Sequence, residues 1–294
     1  MEHVPQTKDC FFNKVKEYVE NNPNIGIVFL TPCYGGMAHV SYMTSLINTM
    51  NVLKIYGIKS FIQFTTQESL ISRGRNSLVA SAMANPETTH LMFVDADIVW
   101  SAVEILKLVI ADKEIVGGLY PKKSYDWNNV SKVCEKLKSS NTLTAKTIQQ
   151  HLVTYNFNPI LRSLSIENNL TEVKHLATGF MMLKRSLIEE MEVVYKDTKY
   201  TDKTGHLRTE EEQKHCYALF DCCVKNQDYL SEDWYFCERV REMDKSIFID
   251  ITIDLSHLGT IPYVGSFRKY LFPDIDQITD VKSDSIEQNK TSTL

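Results

Sequence analysis

Two aspartates one residue apart, Asp95 and Asp97, close the apolar run Leu91-Met92-Phe93-Val94. A buried strand ending this way delivers two carboxylates to the edge of a sheet, where water and a cation reach them. Carboxylates this close repel each other unless a cation or a proton holds them together. Oxygen ligation of that kind suits Mg²⁺ or Mn²⁺, which in enzymes commonly carry a diphosphate. A plain polar turn after a strand has the same local sequence, so the pair alone does not decide its own role.

Other residues along the chain carry compatible chemistry. Ser72-Arg73-Gly74-Arg75-Asn76 opens a helical stretch, and the planar fork of arginine donates two hydrogen bonds at once to a diphosphate. Arg73 is the first candidate and Arg75 the second, against a reading of both as surface arginines. Thr178-Gly179-Phe180 interrupts two apolar segments, and a residue without Cβ at 179 lets backbone approach a ligand closely. Gly117-Gly118 allows the same or a simple tight turn. In Ser231-Glu232-Asp233, the carboxylates Glu232 and Asp233 fall in the first turn of a helix, where backbone amides stabilise negative charge. His257 follows the last apolar stretch, Ile247 to Ile253. Trp234, Tyr235 and Tyr120-Pro121 could stack on a sugar ring or serve as core.

The elements that must position these residues alternate. A helical spacing covers about 9–22, and an apolar run from Ile25 to Leu30 predicts a buried strand stopping at Thr31-Pro32. A helix from about His39 to Tyr56 ends at Gly57, a strand covers Ile58 to Phe64, and a helix runs from Ser72 to Ala84. After the Asp95 strand, Ser101-Ala102-Val103-Glu104 has the form of a capping box, and so does Ser186-Leu187-Ile188-Glu189. Glu114 to Leu119 is a further strand. Strand and helix in alternation predict a parallel sheet covered on both faces, with ligands outside the carboxyl ends of its strands. Residues 122–170 and 196–230 read as polar elaborations, the run Glu210-Glu211-Glu212 as a solvated face.

Composition bounds the classes open to the chain. Its 294 residues are 43% hydrophobic and 23% charged, enough for a sizeable core. A net charge of −5 argues against a general nucleic-acid binder. No apolar stretch reaches the ~20 residues of a membrane span. The segment Met1-Glu2-His3-Val4-Pro5 has no signal-peptide core, and seven cysteines without a CxxC pair favour reduced thiols, so a cytoplasmic location is expected, the host cytoplasm for a viral chain.

With Asp95-Ala96-Asp97, Thr178-Gly179-Phe180, Ser231-Glu232-Asp233 and His257 in this order, the chain resembles the GT-A-fold nucleotide-sugar glycosyltransferases, bacterial and large-virus members in particular, over about residues 23–270. The resemblance implies a Rossmann-like α/β/α architecture with a mostly parallel central sheet and a small second sheet. It implies one domain over 1–280, with a nucleotide-binding half at about 23–120 and an acceptor-side half at about 121–280, while the polar composition of 281–294 reads as a disordered tail. The activity it implies is metal-dependent transfer of a hexosyl or N-acetylhexosaminyl group. The donor is a UDP-sugar by preference, a GDP-sugar second, and the acceptor a hydroxyl of a glycan, lipid-linked sugar or protein.

Roles carry over by position. Asp97 would ligate Mn²⁺ or Mg²⁺, Asp95 would contact the ribose or the metal, and His257 would be a third ligand. Asp233 would be the general base of an inverting reaction and Glu232 an acceptor contact. Thr31 and Pro32 would hold base and ribose, Arg73 or Arg75 the diphosphate, and Gly179 would border the donor sugar.

Two other readings compete. Asp95-Ala96-Asp97-Ile98-Val99 also satisfies the opening motif of haloacid-dehalogenase-like phosphatases, with Asp95 as nucleophile and Glu232-Asp233 as the late acidic pair. Against it, at least two strands precede the motif, and Asp233 follows Asp228-Tyr229-Leu230-Ser231 rather than an apolar strand. The other is a non-catalytic sugar- or nucleotide-binding module, which turnover would separate from an enzyme.

Overall fold

The computed structural model describes residues 8–139, 141–160 and 165–272. The expected tail at 281–294 lies outside these residues. The first half alternates as its sequence suggests: α1 (Lys8–Asn21), β1 (Gly26–Cys33), α2 (Val40–Ile55), β2 (Lys59–Thr66), α3 (Ile71–Met83), β3 (His90–Val94), the short β4 (Ile98–Val99), α4 (Ala102–Ala111) and β5 (Ile115–Gly117). The segment read as an elaboration carries β6 (Pro121–Tyr125), α5 (Val130–Ser139), α6 (Ala145–Leu152), β7 (Val153–Tyr155), β8 (Asn158–Pro159) and β9 (Ile166–Glu167). Then come β10 (Leu170–His175), β11 (Phe180–Lys184), α7 (Arg185–Val194), α8 (Glu210–Lys214) and the hairpin β12 (Cys223–Lys225) and β13 (Asp228–Leu230). The chain closes with α9 (Glu232–Glu242), β14 (Ile247–Asp250), β15 (Ser256–Leu258), β16 (Pro262–Val264) and α10 (Phe267–Leu271).

The central sheet has the order β2-β1-β3-β11-β5-β14-β10-β8, with β9 beside β10. Strands β2, β1, β3, β5 and β14 point the same way, while β11 runs against both its neighbours, β3 and β5. Alternate residues of each strand face opposite layers. Val28, Leu30, Leu91 and Phe93 pack with α3, α7 and α9 through Leu78, Leu187, Ile188, Phe236 and Val240. Ile27, Phe29, Met92 and Val94 pack with α1, α2 and α4 through Val15, Tyr42, Leu46, Ile105 and Val109. Both faces are therefore covered, which is why these strands read as unbroken apolar runs rather than alternating ones. Each fully buried Leu, Ile or Phe contributes roughly 1.5–3 kcal/mol. The result is a three-layer α/β/α fold with a large, mostly parallel sheet and small extra sheets, as expected. No helix among the described residues is long and apolar enough to cross a membrane.

Several local expectations change. β1 does not stop at Thr31-Pro32 but continues to Cys33, paired with β2 as far as Thr66. Pairing with β3 ends at Leu30, so Pro32 sits where the strand has one neighbour and a missing N–H is tolerated. Ser101 does precede α4, but its side chain caps nothing, and Glu104 turns to the Lys107 ammonium at 2.7 Å. Ser186 lies inside α7, which begins one residue earlier, and Glu189 pairs with Arg185 at 2.7 Å. Capping boxes form instead at Thr144/Thr147 and Thr209/Glu212. Glu212, from the run read as a solvated face, thus caps α8 and also accepts from Ser81 at 2.8 Å.

Candidate functional site at the carboxyl rim of the sheet

The reversed direction of β11 builds the rim. Because it runs antiparallel to β3, its first residue, Phe180, lies opposite Val94, the last residue of β3. The preceding Gly179 carbonyl accepts from Asp95 N–H at 3.1 Å, so the second half of the chain is stitched to the aspartate pair by backbone. A second stitch comes from β15, which pairs with β4 so that His257 faces Ile98 and Leu258 N–H donates to Asp97 O at 2.8 Å. Two hydrogen-bonded segments remote in sequence thus converge on Asp95-Ala96-Asp97.

Around Asp97 the side chains form one group. Lys123 Nζ donates to Asp97 Oδ2 at 2.5 Å, and His257 Nε2 faces the same oxygen at 3.5 Å. His257 Nδ1 lies 2.9 Å from Pro121 O. A carbonyl can only accept, so Nδ1 carries a proton and Nε2 is the ring nitrogen turned towards Asp97. Burial works to raise the Asp97 carboxyl, but hydrogen bonds and charge from His257 and Lys123 prevail and hold it down to about 2.

A second group surrounds Asp95. Arg75, 4% exposed, donates from Nη2 to Asp95 Oδ1 and from Nε to Glu232 Oε1, both at 3.1 Å. Its third nitrogen, Nη1, is buried with no hydrogen-bond partner. Burial opposes the guanidinium charge, yet Asp95 and Glu232 raise its pKa above the ordinary value. The guanidinium also lies 5.6 Å from the centre of the Phe93 ring. Arg75 ties the start of α9 to the end of β3.

Asp233 sits next to Glu232 at that helix start. Its Oδ1 accepts from Ser231 Oγ at 2.5 Å and from Trp234 N–H at 2.8 Å. Burial first, and the neighbouring Glu232 charge second, raise its pKa against the Ser231 and Trp234 hydrogen bonds and the Arg75 charge. Tyr120 links the two groups: burial raises its phenol, and so do the charges of Asp95, Asp233 and Asp97, against Arg75. Its ring meets that of His257 edge-on at 5.0 Å between centroids.

Other sequence candidates lie elsewhere or act differently. Arg73, ranked first from sequence, pairs bidentately with Glu68 at 2.6 and 2.8 Å, and Arg75 takes the place beside the carboxylates. Residues two apart on a helix face different ways, so only one could reach the rim. The Thr31 hydroxyl is fully buried, 2.5 Å from Tyr42 OH, and is therefore spent inside the fold. Pro32 is half-buried beside it. A Cβ on Gly179 would come within 2.6 Å of the Tyr120 ring, so this glycine admits Tyr120 against the strand end. Glycines 117 and 118 answer to packing too, since a Cβ there would strike Phe180 O and Ile253. Trp234 stacks on His175 at 4.4 Å, and Tyr235 lies 4.2 Å from the Arg239 guanidinium.

Lys123 escaped the sequence reading. The one signal was Lys122-Lys123 following Tyr120-Pro121, soon after a strand that ends on the same rim. A cavity of about 310 Å³ opens here between Tyr120, Lys122, Lys123, Asn156 and His257, within the size range of small-ligand pockets. Among the described residues no three His, Cys, Asp or Glu side chains converge as a ready cation cage. Asp95, expected as a metal or ribose contact, is turned to Arg75, which leaves Asp97 and His257 as the facing donor pair.

No protein-family model matches the sequence, and no curated protein matches it. Solved structures similar in shape include A197 from STIV, at 14% identity and a TM-score of 0.43, covering 80% of this chain and 86% of that one. Another is UDP-glucose pyrophosphorylase complexed with UDP-glucose, at 11% identity and a TM-score of 0.33, covering 85% and 81% respectively. At these values neither likeness carries a residue role across.

Proposed function

We propose that this chain is a glycosyltransferase that uses a nucleotide-sugar, with UDP favoured over GDP as the nucleotide, and moves the sugar to a hydroxyl of a glycan, lipid-linked sugar or protein. The observation that carries this reading is the meeting of Asp95, Asp97, His257, Arg75 and Glu232 at one sheet rim beside a cavity, with Asp233 next to Glu232 and within reach of the Arg75 charge. The order and spacing of the motifs supports it from the sequence side.

The donor set fits a divalent cation. Asp97 and His257 would hold it, and the backbone carbonyl behind His257 Nδ1 fixes the ring in the tautomer a metal needs. Manganese and magnesium are commonly held by one or two such ligands together with substrate phosphates. When bound, the cation supplies Lewis-acid stabilisation of the charge that builds on a departing diphosphate.

The rest of the chemistry falls to the chain itself. Asp233 takes the proton of the acceptor hydroxyl as it attacks, in an inverting reaction. Its raised pKa makes it a better base than an exposed aspartate. Glu232 and Asp95, both locked to Arg75, hold the base helix and the aspartate loop in fixed relation. The phosphatase reading asks Asp95 to be a free nucleophile, whereas its Oδ1 accepts from a buried arginine.

Calorimetric titration of UDP and GDP, each with and without Mn²⁺, tests the reading. Binding of one nucleotide that strengthens with Mn²⁺ is expected. Negligible binding of both nucleotides in either condition would overturn it.

A further inference from the structure

The two aspartates of the rim each carry a cation supplied by the chain, and the two cations differ in kind. The Arg75 side chain is 5% exposed and grips two carboxylates at once. The Lys123 side chain is 39% exposed and holds Asp97 through a single hydrogen bond, with Asp97 itself 26% exposed. A guanidinium buried in that way cannot leave without abandoning two part-buried carboxylates, Asp95 and Glu232, unpaired at once. A lysine on a flexible four-carbon stem with water on one side can.

Lys123 and His257 address the same atom, Asp97 Oδ2. A divalent ion between Asp97 and His257 would need that oxygen, so the amine and the ion contend for one acceptor. The amine also has somewhere to go. Its stem lies over Gly259, where an added Cβ would come within 3.3 Å of Lys123 Cδ, and the cavity beside it is lined by Lys122, Asn156 and His257. That is a place for an anionic group, and an ammonium is a ready phosphate partner.

We propose that Lys123 is a displaceable internal counter-ion. It neutralises Asp97 while the site is empty, yields that carboxylate to the incoming divalent cation, and turns its ammonium to the diphosphate in the adjoining cavity. The inference rests on the nucleotide-sugar reading of the site, and goes beyond it in saying what guards Asp97 before the donor arrives. Asp97 is then never left as a bare, part-buried charge.

The test titrates Mn²⁺ alone into the full chain, following free Mn²⁺ by electron paramagnetic resonance, for the wild type, Lys123→Met and Lys122→Met. Removing one charged hydrogen bond that competes for Oδ2 is expected to tighten Mn²⁺ binding about tenfold in Lys123→Met. Lys122→Met removes the same charge one residue away and is expected to change it by no more than about twofold, as a surface charge would. In the presence of Mn²⁺, Lys123→Met is expected to bind UDP more weakly. Equal Mn²⁺ affinity in the two variants, or no tightening in Lys123→Met, overturns the proposal, because a purely structural ion pair would lower stability and leave metal affinity alone.

A measurement on the wild-type protein covers the case in which Lys123→Met does not fold. Acetylation mapped by mass spectrometry should find Lys123 more reactive with saturating Mn²⁺ and protected again on adding UDP, with Lys122 unchanged. Constant Lys123 reactivity across the three conditions also overturns it. Failure of UDP and GDP to bind any form sinks the nucleotide reading instead, and the Mn²⁺ contrast between the two lysine variants still reports on the competition.

Discussion

Asp233 is the residue whose environment departs furthest from its look in the sequence. An acid in the first turn of a helix is ordinarily a stabilised anion. Here burial and the Glu232 charge outweigh that effect and raise its pKa. Asp233→Asn should therefore keep UDP binding within about twofold but lower transfer by about 10²–10⁴, the usual worth of a positioned base. Product formation and calorimetry together check it, and full activity in the variant would take Asp233 out of the mechanism. A base must be ionised to act, so kcat/KM should climb with rising pH through a limb placed above the ordinary aspartate value, and that limb should vanish in the variant. The acidic and histidine members of the site were legible because their types and order sufficed. Their cationic partners were not. Arg73 and Arg75 differ only in which face of α3 each occupies, and Lys123 reaches Asp97 through a fold that brings β6 beside β15. Neither relation is written in local spacing.

At the level of elements, the seam between α4 and the turn after β14 carries an unusual charge load. Lys107 bonds Glu104 at 2.7 Å and Thr252 O at 2.8 Å, with Asp250 and Asp254 close enough to act on Glu104. Burial, which Lys107 only partly offsets, raises Glu104 from the ordinary 4.5 to about 7. A carboxyl raised on folding adds stability that is complete below its unfolded pKa and is lost as pH climbs through the folded one. Stability should therefore fall between about pH 4.5 and 7, by roughly 3 kcal/mol at most from this group alone. Glu104→Gln, which still offers Lys107 an oxygen, should flatten that slope and gain stability over the wild type at pH 8 but not at pH 4. Denaturant midpoints at the two pH values check this, and an unchanged slope would assign it to other groups. The sequence could not show this seam, because Ser101-x-x-Glu104 reads as a reciprocal cap. An ion pair within α4 to Lys107, which the Thr252 carbonyl of the turn after β14 anchors in turn, takes Glu104 away from the cap.

For the whole molecule, alternation of strand and helix was enough to read the layered architecture, since apolar runs and turn signals are local. The strand order was not, because nothing in Phe180 to Lys184 says that it runs backwards between β3 and β5. That placement bears on the expectation of a nucleotide-binding half and an acceptor-side half. Strands β3 and β5 touch only through β11, and β5 finds its other neighbour only in β14. A fragment ending at residue 160 lacks both and should show no cooperative unfolding transition by circular dichroism. A sharp two-state transition in that fragment would mean that the first half is a domain in its own right.

The same inserted strand sets the order in which the protein can come into being. A chain emerging from the ribosome presents its N-terminal strands first, and contacts between distant segments form slowly because the intervening loop must be closed. β3 must wait for β11 across the whole excursion through β6–β10, and Asp97 must wait still longer for His257 on β15. Until then Phe93 and Met181, partners in the finished sheet, stay open to other chains. The rim should therefore be assembled last, and refolding followed at several protein concentrations should show a slow phase with a concentration-dependent aggregating fraction.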